Sequence, residues 1–406
     1  MPPDSSFKWL KGGVTAPAGF SASGTKAGIK HDKKDLALIV ADRPCAAAGV
    51  FTLNAVKAAP VLLCRERLRK CPQARAIVVN SGNANACTGP RGRADAEATA
   101  AAAAAALAIG PEQVLVCSTG TIGIPLPLAK IKAGLPAAAA ALSRAGGGEA
   151  ARAIMTTDTV PKQAAVRLRI GGREVTLGAM AKGAGMIAPN MATLLVFITT
   201  DAAVRSGALR AALSSAVSKS FNRILVDGDQ STNDTVLCLA SGLAGNRPVA
   251  RSGADWKIFE AALTAVCRKL AAMIVGDGEG VTKVVTINVA GAASEADARK
   301  VARVIGHSLL VKTSWFGADP NWGRVICAVG YSGARVAPEK ICIAYNGRAA
   351  VENGMATGMA HSALQKIISQ SEFAIEVNLN MGRGTYSLLT CDLSLDYVKI
   401  NADYMT

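Results

Sequence analysis

Short apolar runs that end in Gly, Asn or Asp alternate along this chain with Ala-rich tracts broken by Gly and Pro. Runs of the first kind suit buried strands, and tracts of the second kind suit helices with defined ends. Their alternation follows no fixed repeat, so the pattern predicts a layered α/β fold. Residues 35–40 and 76–80 read as strands. The Ala-rich stretch 95–109 reads as a helix stopped by Gly110-Pro111. Residues 114–117 then form a buried strand that feeds Ser118-Thr119-Gly120-Thr121-Ile122-Gly123. A second Ala-rich helix ends near Arg144, and Ala145-Gly146-Gly147-Gly148 after it reads as a linker. Alternation over 163–170, the pair Gly171-Gly172 and a return through Val175 and Leu177 predict a hairpin.

The second half continues in the same style. Residues 194–200 read as a strand, and Val204, Leu209, Leu213 and Val217 as the apolar stripe of a helix. A strand over 281–289 precedes Ser294-x-x-Asp297, which opens a helix bearing Ala298, Val301, Val304 and Ile305. Strands are expected at 341–345, 373–380 and 385–389, and the alternation over 392–400 predicts a last one. Half of the 406 residues are hydrophobic but only 4% are aromatic, so the core is built from small and aliphatic side chains. Charged residues at 18% are too few for a disordered chain.

The balance of 45 basic and 29 acidic residues gives a formal +16. Nucleic-acid binding needs that charge gathered on one face. Here Lys and Arg are scattered, and the densest run, residues 65–70, contains Glu66 and no aromatic residue. Anionic small substrates fit better, and no nucleic-acid partner is expected. The ten cysteines form no C-x-x-C pair and mostly stand in apolar runs, as buried free thiols do. With three His and no Cys/His spacing, no metal site is expected. The opening Met-Pro-Pro-Asp-Ser-Ser has no signal-peptide pattern, and no run reaches 18 apolar residues. These features predict a cytoplasmic location and no membrane partner. A G-x-S-x-G elbow, a P-loop and a complete dinucleotide fingerprint are all missing.

The most informative stretch is Lys182-Gly183-Ala184-Gly185-Met186-Ile187-Ala188-Pro189-Asn190-Met191-Ala192-Thr193, which runs straight into the strand at 194–200. Taken alone, Thr193 is a β-branched residue starting a strand. It becomes a nucleophile if the Ala192–Thr193 bond is cut, because its own α-amine, titrating at about 7.7–8.0, then serves as the base. A strained bond there permits attack of the Thr hydroxyl on the preceding carbonyl. The Ser118-Thr119-Gly120 turn, at the end of a strand, is placed to stabilise an oxyanion.

Together with Met155-Thr156-Thr157-Asp158-Thr159, Gly228-Asp229-Gln230-Ser231-Thr232-Asn233-Asp234-Thr235, Glu279-Gly280-Val281-Thr282-Lys283 and Phe316-Gly317-Ala318-Asp319-Pro320-Asn321-Trp322-Gly323-Arg324, this stretch resembles the ornithine acetyltransferases of arginine biosynthesis. Members are often bifunctional, with glutamate N-acetyltransferase activity. The resemblance runs from Ala18-Gly19-Phe20 to the last residue and implies an α/β/β/α sandwich. It implies self-cleavage between Ala192 and Thr193 into an α chain, 1–192, and a β chain, 193–406, associated as two of each. Thr193 is then the acetyl acceptor, with Thr119 and Gly120 as the oxyanion hole. Substrate contacts fall on Thr156, Lys182, Thr193, Glu279, Asn401 and Thr406, with Thr157 competing for the role of Thr156. The implied substrates are N2-acetyl-L-ornithine and L-glutamate. No cofactor is implied, with acetyl-CoA as a co-substrate where the second activity is present.

Two other readings stay open on the residues alone. One is an amidase or aminopeptidase with the same N-terminal threonine and water as acceptor; the other is a basic nucleic-acid-binding protein, supported only by the net charge.

Overall fold

The computed structural model describes residues 7–188 and 194–403. Ala192, Thr193 and Thr406, three of the expected site residues, lie outside the described residues. The chain forms two compact units, one of residues 7–222 and 229–274, the other of 223–228 and 275–403.

In the first unit, nine strands of the described residues form one sheet. They are β1 (Phe7–Leu10), β2 (Phe20–Thr25), β3 (Leu36–Phe51), β4 (Gln73–Asn83), β5 (Val114–Thr121), β6 (Lys162–Ile170), β7 (Arg173–Lys182), β8 (Leu195–Thr200) and β9 (Thr235–Ala240). The order is β1-β6-β7-β8-β9-β3-β4-β5, with β2 also on β3. The long β3 joins two halves. Its first part pairs with β2 and its last part with β9, while β4 pairs with it on both sides of a register shift between Val40 and Cys45, around Pro44. A bend of this kind lets one strand serve two layers.

Alternation along β3 sorts its side chains between two cores. Leu36 and Leu38 join Ala96, Ala100 and Ala103 of α2 (Gly89–Leu107) and Ile131 and Leu135 of α3 (Leu128–Ala140). Ala37 and Ile39 join Met180, Phe197 and Leu237 from the β7–β9 half. The Ala-rich helix faces let backbones approach closely, and the expected α/β layering results. Helix α2 starts six residues before the predicted position 95, with Pro90 in its first turn, where a missing N–H costs nothing. Helices α1 (Ala59–Lys70) and α5 (Ser206–Ser218) complete the cover of β3, and α6 (Gly253–Gly276) follows β9.

The glycine run at 146–148 is no linker. It opens α4 (Gly147–Ala153), whose Ala150, Ala151 and Ala153 are buried in the inner core. A Cβ on Gly146 would stand 1.8 Å from the Ala22 carbonyl oxygen, so this glycine serves close packing rather than flexibility.

The second unit holds a six-stranded sheet in the order β13-β12-β11-β14-β10-β15. Its strands are β10 (Val284–Ala292), β11 (Cys342–Tyr345), β12 (Arg348–Glu352), β13 (Met355–Ala356), β14 (Glu372–Asn378) and β15 (Gly384–Cys391). The pair β10–β14 is parallel and the others are antiparallel. Helices α7 (Glu295–His307), α8 (Leu309–Phe316), α9 (Trp322–Gly330) and α10 (His361–Ile368) share a core with this sheet, centred on Trp315, Tyr345 and Ile375. Ser294 caps α7 as its spacing predicts, accepting the Asp297 N–H.

The chain end differs from expectation. Residues 395–403 form α11 (Leu395–Asp403), not a strand. Ser394 Oγ accepts the Tyr397 N–H (3.3 Å) and donates to Gly280 O (2.6 Å), so it starts the helix and ties it to the turn after Glu279. Among the described residues, no helix is long and apolar enough to cross a membrane.

Loss of the Ser394 hydroxyl removes both bonds. Ser394→Ala should lower stability by about 1 kcal/mol in a thermal melt, the usual cost of an N-cap. An unchanged melting curve would show that α11 does not depend on this cap.

Candidate active site

Thr119 and Gly120 lie at the end of β5, parallel to β4 with Ser81 beside Thr119 and Gly82 beside Gly120. Gly120 has φ +131°, and a Cβ there would stand 2.3 Å from the Gly82 carbonyl carbon. Only glycine fits this junction, where the strand turns its backbone away from regular pairing. Thr119 is buried beside it.

Two consecutive residues tie this turn to the strand that follows Thr193. Asn233 Nδ2 donates to Ser118 O (2.8 Å) and to Ala84 O (2.6 Å), bracing β5 and the end of β4. Asp234 Oδ1 accepts the Leu194 N–H (3.0 Å), and the Thr235 N–H returns to Leu194 O (3.1 Å). The Asp234 carboxyl is buried, and burial drives its pKa well above the usual carboxylate range. The Leu194 N–H, the Thr52 hydroxyl and the charge of Lys182 oppose that shift without reversing it.

A second cluster surrounds Asp158, which is buried with Lys162 and Lys182. Asp158 Oδ1 accepts from Lys162 Nζ (2.7 Å) and from the Gly183 N–H (2.7 Å); Oδ2 accepts the Thr156 N–H (3.1 Å) and stands 4.0 Å from Lys182 Nζ. Burial alone would raise this carboxyl's pKa, but the charges of Lys182 and Lys162 and these hydrogen bonds leave it below the ordinary value. Thr156 and Lys182, far apart in sequence, are thus brought to one carboxylate. Lys162 takes the close contact.

In the second unit, Glu279 and Asn401 meet. Asn401 Nδ2 donates to Glu279 Oε2 (2.8 Å) and to Tyr397 O (3.0 Å). Tyr397 Oη in turn bonds Asp227 Oδ2 (3.3 Å). A carboxylate oriented by an amide is suited to an ammonium ligand. Among the described residues, no group of three or more His, Cys, Asp and Glu could hold a metal ion.

The ArgJ family model matches residues 21–406. The chain belongs to the ArgJ family. Over 403 residues it is 53% identical to the arginine biosynthesis bifunctional protein ArgJ of Symbiobacterium thermophilum, covering 98% of this chain and all of that one. The protein of the same name from Caldanaerobacter subterraneus is 47% identical over 401 residues, 98% of this chain and 99% of the relative. The crystal structure of the Bacillus halodurans argJ protein is similar with 44% identity and a TM-score of 0.50, covering 52% of this chain and 98% of that one.

Three residues near these groups are marked by no motif. Asn233 and Asp234 sit in a polar loop, but their partners lie elsewhere in the chain. Lys30 has no signal at all. Its Nζ donates to Met155 O (2.9 Å), one residue before Thr156. Its backbone is held by buried Asp35, whose carboxylate accepts the N–H groups of Ala27, Ile29 and Lys30 (2.6, 2.6 and 2.9 Å). Burial lowers the Lys30 pKa from 10.5 to about 8, with Asp35 pulling the other way and Lys33 and Lys182 adding to the fall.

That shift has a sign in stability. Between about 8 and 10.5 the unfolded chain keeps the Lys30 proton and the folded one sheds it. Folding is therefore penalised below pH 8, and the penalty is relieved as pH rises through this window. Measured by denaturant unfolding, the stability of wild type minus that of Lys30→Gln should rise from pH 8 to 10.5. A difference that is flat or falls with pH would contradict the assignment.

Proposed function

We propose that the protein is an acetyltransferase of arginine biosynthesis that moves the acetyl group of N2-acetyl-L-ornithine to L-glutamate through acetyl-Thr193, with acetyl-CoA as a second acetyl donor. Thr193 is freed by self-cleavage after Ala192, and the two products stay together, two of each, in the cytoplasm. The observation that carries this reading is the pair of bonds from Asn233 to Ser118 and from Asp234 to Leu194, which fix the oxyanion turn relative to the residue after Thr193.

The Thr193 hydroxyl attacks the acetyl carbonyl and passes its proton to the Thr193 α-amine. Thr119 and Gly120 stabilise the negative oxygen of the tetrahedral intermediate. The intermediate collapses, the C–N bond breaks and ornithine leaves with the proton held by the amine. Glutamate's amino group then attacks the acetyl ester, its proton returns to the Thr hydroxyl, and N-acetylglutamate departs. The Lys182 ammonium, brought beside Thr156 by Asp158, is the group we assign to a substrate carboxylate. Glu279, oriented by Asn401, supports binding of the ornithine ammonium. In self-cleavage the Thr193 hydroxyl attacks the Ala192 carbonyl, and the C–N bond breaks with the hydroxyl proton ending on the departing Thr193 nitrogen. Water hydrolyses the resulting ester to free the Ala192 carboxylate and the Thr193 hydroxyl.

The test is to incubate the purified protein with glutamate and either acetyl-ornithine or acetyl-CoA and to measure N-acetylglutamate; no product from either donor rejects the reading. Intact mass should show two chains, the second starting with Thr193, and Thr193→Ala should be uncut and inactive. Thr119→Ala should lower kcat about 10²–10³-fold and slow cleavage, as loss of an oxyanion donor does. If only KM rises, Thr119 belongs to binding and not to the oxyanion hole.

Deletion of residues 401–406 removes the amide that orients Glu279 and leaves the first unit's site intact. This truncation should mature fully yet lose most of its kcat/KM for acetyl-ornithine. Wild-type kcat/KM would remove Asn401 and Thr406 from the site.

A further inference from the structure

Asp234 contributes two features that no strand-closing role requires. Its Oδ1 accepts the N–H of Leu194, which follows Thr193 directly in the chain. Its Oδ2, equally buried, has no hydrogen-bond partner among the described residues. The Thr52 hydroxyl lies beside the carboxyl and acts to lower its pKa, although its own proton goes to Ser231 O (2.9 Å). A buried carboxyl oxygen left unsatisfied destabilises a fold, so closing the strand through Oδ1 does not by itself account for the second oxygen.

We propose that Asp234 is a positioning residue for the acyl transfer: one oxygen fixes the peptide link that follows Thr193, and the other is held for a hydrogen bond formed only as the reaction proceeds. This inference rests on the assignment of Thr193 as nucleophile. Burial raises the carboxyl's pKa well above the usual range, and in its protonated form the side chain offers one acceptor and one O–H donor. The charged group that acts on it is Lys182, from the end of β7. The role needs no charge on Asp234. An amide supplies the same pair of functions, one acceptor and one donor, in nearly the same volume. A small apolar residue supplies neither.

Asp234→Asn, Asp234→Ala and Thr193→Ala are compared with wild type in full-length protein, with rates normalised to the folded fraction. Asp234→Asn should cleave and turn over within about threefold of wild type, with an unchanged pH profile for kcat. Asp234→Ala should lose about 10²-fold in the cleavage rate and in kcat, the scale of a misplaced reacting group, with KM for acetyl-ornithine within about threefold. Should the Ala variant not fold, Asp234→Ser, whose side chain is too short to reach the Leu194 N–H, replaces it with the same expectation. Normal cleavage and kcat in the Ala or Ser variant overturn the proposal. An Asn variant as slow as the Ala variant also overturns it, because the carboxylate charge would then be the active feature. Cleavage of Thr193→Ala would instead overturn the nucleophile assignment, whatever the Asp234 variants do.

Discussion

The first unit's site depends on a short hydrogen-bonded bridge, Asn233 and Asp234. Neither β5 nor β8 is next to the other in the sheet; β9, β3 and β4 lie between them. The Thr119-Gly120 turn on one and the start of the other have no direct ladder to set their spacing. The bridge sets it through the loop just before β9, with one side chain reaching each way. Two adjacent residues on one backbone leave little slack, and small displacements of reacting groups cost large factors in rate. Buried side-chain bonds of this kind are also stronger than exposed ones, since water does not compete for them.

Charge burial is the second constraint. Lys162 and Lys182 are both buried, which is unfavourable unless the charge is compensated. Asp158 compensates, and it also fixes the Thr156 and Gly183 backbones, so removing it would leave two buried ammonium groups and two unpaired N–H groups. Asp234, lacking a lysine at contact distance, goes the other way and favours its neutral form. Two carboxyls of one unit thus hold opposite protonation tendencies because one has close cations and the other does not.

What could be read in advance follows from the range of each interaction. The hairpin at 163–177 and the Ser294 cap are local, with partners a few residues apart, and both stand where their patterns predict. Thr119, Gly120, Thr156, Lys182, Glu279 and Asn401 were reached through motif resemblance, and the structure gathers Thr156 with Lys182 and Glu279 with Asn401. Asn233 and Asp234 were illegible as site residues because their partners are 115 and 40 positions away. Lys30, 125 positions from the carbonyl it bonds, was equally hidden. The glycines at 146–148 look like a flexible link in sequence, whereas Gly146 is needed because the Ala22 backbone presses against it. Residues 392–400 alternate like a strand, yet Leu395 and Val398 also fit a helical spacing, and the Ser394 cap decides for the helix.

The sheet order bears on what a cut before Thr193 would do. Strand β7 lies before that position and β8 after it, and they are hydrogen-bonded neighbours, with Lys182 opposite Leu195 and Leu177 opposite Thr200. Further along, β9 pairs with β8 on one side and with β3 on the other. The segment after the cut is therefore inserted between strands that precede it, and the inner core mixes Ile39, Ile77 and Met180 from before with Phe197 and Leu237 from after. A surface of that kind resembles a domain core divided in two rather than a docking interface. Breaking one peptide bond in the connection between β7 and β8 removes none of these contacts. It adds chain ends, whose entropy is small against a shared sheet and core. A cut at this point would thus leave the segments before and after it sharing one sheet and one core.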